Sequence, residues 1–304
     1  MDENKLTLQK RVRRLFSERF ESDPEVERIY KLIRNRSADY ADAQRFAIAI
    51  GDILAECLKS EDYTGVNLYE LAEDVVQLLD QNVRLVDSVC DVIQGQMNES
   101  AAVGIEPIKP AAQTSRLQGI KEAVINAENN EAIYNSVAAS AANYGQAYVD
   151  EWVKTNADFQ IKSGLGATIV RVWSGIYGTH DTRHTDWCKD LAGVYQYDGG
   201  VQNYHRKGGN LWSVEGGKNV FSRHKGCRCT VSYYPAGTSK GTITALAKGE
   251  KDEDQVLWNT GKVFSNSRNA QLRRRREQYG KEEARRILNE EWKGGYNGNA
   301  ERHF

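Results

Sequence analysis

Proline is scarce in this chain, with four in 304 residues (Pro24, Pro107, Pro110 and Pro235), and methionine scarcer, with two. The main helix-breaker is therefore missing from long stretches, and proline-rich extended or collagen-like classes are excluded. No apolar run approaches the ~18 residues that a membrane-crossing helix requires, so no membrane span is expected. The opening residues MDENKLTLQKRVRRLF carry basic groups with no following apolar segment. No signal peptide is expected, and the product is expected to be made and kept in a cytoplasm. Five cysteines without a secretory signal argue against a disulfide framework; clustered with histidine, they read better as a metal site. Net charge is also lacking: 41 Lys and Arg against 42 Asp and Glu imply no global electrostatic partner. No GxxxxGK[ST] phosphate loop, GxSxG elbow or HExxH metal-hydrolase pair is present.

What is present is mostly helix-forming sequence. Residues 5–22, 24–36, 39–59 and about 67–97 show apolar residues near helical spacing, with Asp23 and Pro24 as a new N-cap and first helical position, and Asn67 as a cap. Cys57 and Cys90 sit inside these patterns and read as small core residues. Residues 98–112 (NESAAVGIEPIKPAA) hold two of the four prolines and read as a linker. Helix resumes near Ser115 and runs in two pieces to about Gln160; its stretch SVAASAANYGQAYVDEW is rich in small residues, which predicts a tightly packed core helix. TIVRVW (168–173) alternates and is β-branched, as a strand requires, and the glycine-rich run after it predicts short strands and loops. One short helix is expected within DTRHTDWCKDLAG. The expected fold class is mainly α: a long N-terminal helical region, a small α+β domain containing the Cys and His residues, and C-terminal helices over 251–263 and 266–292.

Charge is distributed unevenly. Residues 1–110 carry 14 basic against 21 acidic groups, and residues 238–304 carry 14 against 10, so the front is acidic and the tail mildly basic. Arg268, Arg273, Arg274, Arg275, Arg276, Arg285 and Arg286 form a basic block on an expected helix. They suit contact with DNA or an acidic protein surface. Glu277, Glu282 and Glu283 are also within helical steps and can make the same block a solvated face.

The chemistry-bearing residues concentrate in one stretch, Thr168 to Pro235. Within RHKGCRC, His224, Cys227 and Cys229 converge only if the backbone turns sharply, and Gly226 permits that turn. With Cys188 they make a Cys₃His set, which zinc takes as a closed structural tetrahedron. Two other readings stand beside it: metal-free packing of the thiols, or a disulfide from Cys188. His180, Asp181, His184 and Asp186 invite a catalytic reading, and Asp181, Arg183 and His184 could equally form a salt-bridged structural turn. No catalytic residue is assigned.

The order Trp173, Asp181–Thr182–Arg183–His184, Leu191–Ala192–Gly193, Phe221 and His224–Lys225–Gly226–Cys227–Arg228–Cys229 resembles the phage Mu F-like minor head proteins, which include head morphogenesis proteins of tailed phages. That family's pattern ends in H-P-N-C-R-C, where this chain has HKGCRC. Many relatives carry a C-x-x-C where it has Cys188 alone, which makes His224 the natural substitute ligand. The resemblance covers about 70 residues. It implies a structural virion component at the portal vertex inside the capsid, with portal protein, major capsid or scaffold protein and packaged double-stranded DNA as partners. The host cytoplasm would be its site of assembly. It implies no enzyme activity. On this reading the chain divides into an acidic helical region (1–97), a linker (98–112), a head-protein domain (113–237, with the Cys/His subdomain at 168–235) and a basic tail (238–304). The alternatives are a metal-dependent hydrolase or toxin effector using His180, Asp181 and His184, and a zinc-ribbon-like nucleic-acid-binding module.

Overall fold

The computed structural model describes residues 8–63, 65–100, 106–111, 114–173, 188, 190–197, 199, 205–206, 213–214, 218–224 and 226–235. The fold is mainly α with one small sheet. Six helices come first: α1 (Leu8–Ser22), α2 (Pro24–Arg34), α3 (Tyr40–Lys59), α4 (Leu68–Ser100), α5 (Thr114–Ile125) and α6 (Asn130–Lys162). Among the described residues, none of them is long and apolar enough to cross a membrane.

Local chemistry sets where the helices begin. Asp23 accepts from Glu25 N and Val26 N at 2.9 Å, and Pro24 takes the first helical position of α2. Asp39 and Asp42 form a reciprocal capping box at the start of α3, at 3.2 and 3.0 Å. Asn129 caps α6 by accepting from Ala132 N at 2.8 Å.

Helices α3 and α6 form the centre, and small residues let them meet. A Cβ placed on Gly51 would lie 2.6 Å from the Cα and N of Ala142, and one on Gly145 would lie 3.1 Å from the Ala47 Cβ. The small-residue stretch of α6 is therefore a backbone-to-backbone packing seam. Around it, one continuous core joins Val12 of α1, Phe46 and Leu54 of α3, Leu79 of α4 and Val124 of α5 to Trp152 of α6 and the sheet residues Ile169, Tyr195 and Tyr233. Cys57 and Cys90 are fully buried within this core.

Residues on both sides of the proline-bearing segment 98–112 belong to the same hydrophobic cluster. Helix α4 continues to Ser100, and residues 106–111 lie along α6, where Asn156 accepts from Ile108 N at 3.3 Å and donates to its carbonyl at 3.0 Å. Asn156 is buried on α6, and its side-chain amide takes the place of a strand partner for Ile108.

Strands follow the helices: β1 (Ala167–Val172), β2 (Gly193–Tyr197), β3 (His205–Arg206), β4 (Ser213–Val214), β5 (Lys218–Asn219) and β6 (Thr230–Pro235). The main sheet has the order β3-β2-β1-β6, with all pairings antiparallel, and β4 and β5 form a separate ribbon. Tyr195, Ile169 and Tyr233 stand in one cross-strand row facing the helices, and Gly193, Arg171 and Val231 form the next. The expected C-terminal helices and the short helix's residues 181–187 lie outside the described residues; Cys188 and Asp190 are helical.

Candidate metal centre

Sheet register brings the cysteines together. Strand β1 ends beside the starts of both its neighbours, with Arg171 opposite Gly193 of β2 and Val172 opposite Thr230 of β6. The residues leading into β2 (Cys188) and into β6 (His224 to Cys229) therefore arrive at one end of the sheet, next to Trp173. The turn in RHKGCRC closes through Cys227 N donating to the His224 carbonyl at 3.1 Å, and Gly226 adopts φ +70°. That left-handed conformation is the one glycine takes without strain.

Cys188, Cys227 and Cys229 are all buried, at 1% exposure or less. The Sγ atoms of Cys188 and Cys227 are 3.8 Å apart, and those of Cys188 and Cys229 are 3.3 Å apart. All are free thiols, so a disulfide from Cys188 is not formed. The ligand atoms of Cys188, His224 and Cys227 lie within 4.8 Å of one another, a group that can hold a metal ion. A tetrahedron with metal–sulfur bonds of about 2.3 Å has sulfur–sulfur edges of about 3.8 Å, so the Cys188–Cys227 spacing already fits one. Cys229 is not one of these three; its Sγ lies beside theirs, 3.3 Å from Cys188 Sγ.

The protonation pattern follows from crowding three thiols. Hydrogen bonds from Cys188 and Cys229 hold Cys227 far below the ordinary thiol range, against the effect of burial, and His224 and Arg223 add to this. Cys229 is pushed well above that range by its hydrogen bonds with Cys188 and Cys227, and by burial. Cys188 is raised through its bond with Cys227.

Two buried arginines surround the thiols. Arg171, on the helix-facing side of β1, is fully buried. Its Nη1 donates to the carbonyls of Val220 (2.6 Å) and Ser222 (2.9 Å), and its Nη2 to Cys188 Sγ (3.1 Å) and Cys227 Sγ (3.8 Å). Burial works against its charge, and the Cys229, Cys188 and Cys227 sulfurs more than offset this. Arg223 forms a two-point pair with Asp150 of α6, at 2.7 and 2.9 Å, and also donates to Gln44 Oε1 of α3 (3.0 Å) and the Cys229 carbonyl (2.7 Å). Gln44 in turn donates to Asp150 at 2.8 Å.

Further contacts fasten the Cys/His loop to the helices. Gln146 donates to the Cys229 carbonyl at 3.1 Å, and Asn143 to the His224 carbonyl at 2.9 Å. At the partly exposed rim, Arg228 makes a two-point pair with Asp52 of α3, at 2.5 and 2.6 Å. The loop is thus built onto α3 and α6.

Of the residues singled out from the sequence, the structure brings together Cys188, His224, Cys227 and Cys229. His180, Asp181, His184, Asp186 and the tail arginines Arg268, Arg273, Arg274, Arg275, Arg276, Arg285 and Arg286 lie outside the described residues. Sequence reasoning missed Arg171, Arg223, Asp150 and Gln44. Arg171 carried a usable signal: in TIVRVW it shares the strand face of Ile169, where a charge is out of place unless something answers it. No protein family, curated protein or solved structure matches the chain.

Proposed function

We propose that the chain is a structural minor head protein of a tailed bacteriophage, bound at the portal vertex, and that its Cys/His group holds a structural zinc ion. The observation that carries this reading is the convergence of the signature residues. Trp173, Cys188, Cys227 and Cys229, spread over 57 positions, form one buried cluster with His224 at its edge. A catalytic metal keeps an open position reachable by substrate, whereas a site lined by thiols at 1% exposure or less suits a closed structural one. Zinc is the metal that tetrahedral thiolate and imidazole ligands favour. The role is assembly: the Cys/His loop locks the sheet to α3 and α6, and the outer helices are left for portal, capsid or scaffold contacts. The basic tail would lie toward packaged double-stranded DNA.

The test is compositional. Purified virions of the encoding phage should contain this protein in few copies per particle, and it should co-purify with the portal protein from infected cells. A Cys227→Ser phage should yield heads with defective packaging or delivery. Its absence from both virions and assembly intermediates would overturn the assignment.

A further inference from the structure

Formal charges around the thiols leave one imbalance. Arg223 and Asp150 are both nearly inaccessible, at 4% side-chain exposure, and cancel each other through two short contacts. Among the described residues Arg171 has no such carboxylate: its partners there are two carbonyl oxygens and two sulfurs, and its Nε finds no acceptor. A fully buried guanidinium requires a buried anion close by, because desolvating an isolated charge costs several kcal/mol or more.

We propose that Arg171 is the counter-charge of a divalent metal centre with three thiolate ligands and one imidazole, and that this charge balance places Cys229 in the ligand set with Cys188, His224 and Cys227. The inference rests on the metal site put forward above. A divalent ion with two thiolates and a neutral imidazole is neutral and leaves Arg171 unanswered. With three thiolates the centre carries one negative charge, and Arg171 cancels it. Position agrees with charge, since the same guanidinium face meets Cys188 and Cys227 while its other nitrogen clamps the Val220 and Ser222 carbonyls in the turn leading to His224. Cys229 Sγ lies 3.3 Å from Cys188 Sγ, close enough for both sulfurs to bind one ion. Arg171 is thus a positioning residue that selects the number of thiolates and, through it, the charge of the metal accepted.

The experiment uses the full chain loaded with cobalt(II) as a spectroscopic probe, together with zinc affinity measured against a competing chelator. The native protein should bind one cobalt per chain with tetrahedral d–d bands and sulfur-to-metal charge transfer from three thiolates. Cys229→Ala should lose about a third of the charge-transfer intensity if three thiolates bind equivalently. Arg171→Gln, which keeps donors and loses charge, should weaken zinc binding by about tenfold or more, within the range typical of groups supporting metal ligands. Arg171→Lys, which keeps the charge, should retain most of the affinity. Unchanged charge transfer in Cys229→Ala, or Arg171→Gln binding as tightly as native protein, overturns the proposal while leaving a metal site intact. A native protein that binds no divalent metal removes the site itself. Should Arg171→Gln fail to fold, the Cys229→Ala spectrum alone decides the ligand set.

Discussion

Arg223 and Asp150 meet through two contacts of 2.7 and 2.9 Å, and each side chain is only 4% exposed. One belongs to the loop that carries the candidate ligands, the other to the central helix α6. The pair therefore couples the Cys/His loop to the helical core.

Removing one partner exposes how strong that coupling is. Asp150→Ala leaves a buried arginine unpaired and should destabilise the protein by ~3–5 kcal/mol. Urea unfolding followed by tryptophan fluorescence measures it. A loss below ~1 kcal/mol would mean that the loop is held by other contacts.

The α3–α6 seam makes a paired glycine prediction. Gly51→Ala pushes a methyl to within 2.6 Å of the Ala142 backbone, which cannot retreat as a side chain end would. It should cost ~1–3 kcal/mol or more, as overpacking does. Gly119 of α5 has nothing within 4 Å of the same position. Gly119→Ala should instead stabilise by ~0.5–1 kcal/mol through helix propensity. Thermal melts of the two variants should move in opposite directions.

Gln94 of α4 is a buried acceptor shared by two hydroxyls, Tyr40 OH of α3 at 2.6 Å and Tyr233 OH of β6 at 2.9 Å. Gln94→Leu strands both and should cost ~1–3 kcal/mol for each stranded donor. Adding Tyr40→Phe and Tyr233→Phe to that variant should recover part of the loss. A double-mutant cycle by denaturant titration reads the coupling, and strict additivity would deny the shared acceptor.

Metal removal has a defined sign with pH. Thiolate ligands must give up protons to bind, so metal uptake releases protons and its affinity rises with pH. Stability contributed by the metal is present at neutral and higher pH and is lost as pH falls. Chelator treatment should lower the melting temperature of the native protein at neutral pH and leave Cys227→Ser unaffected. An equal drop in both would mean that the chelator acts elsewhere.

Much of the helical architecture was legible because its signals are local. Asp23 before Pro24, apolar residues at helical spacing over 39–59 and β-branched alternation in TIVRVW each act within a few residues, and α2, α3 and β1 lie within two residues of their expected bounds. The gathering of Cys188 with RHKGCRC was also legible, as one reading beside metal-free packing of the thiols and a disulfide. The supporting charges were not. Arg223, Asp150 and Gln44 are separated by up to 179 positions, and each alone resembles any solvated polar residue. The contact of Ile108 with Asn156, 48 residues away, was not legible for the same reason: proline reports local stiffness and says nothing of a distant partner.

The sequence by itself determined the mainly helical class, the strand and the set of candidate ligands, because periodicity, capping and residue chemistry are properties of short stretches. Tertiary structure alone decided that the helices and the sheet share one core and that the Cys/His loop is hydrogen-bonded onto α3 and α6. It also placed Arg171 against the thiols and Arg223 against Asp150. Those outcomes depend on strand register and on the close approach of Gly51 to Ala142, which set distances between residues far apart in the chain. A buried charge is settled only by what packing puts beside it.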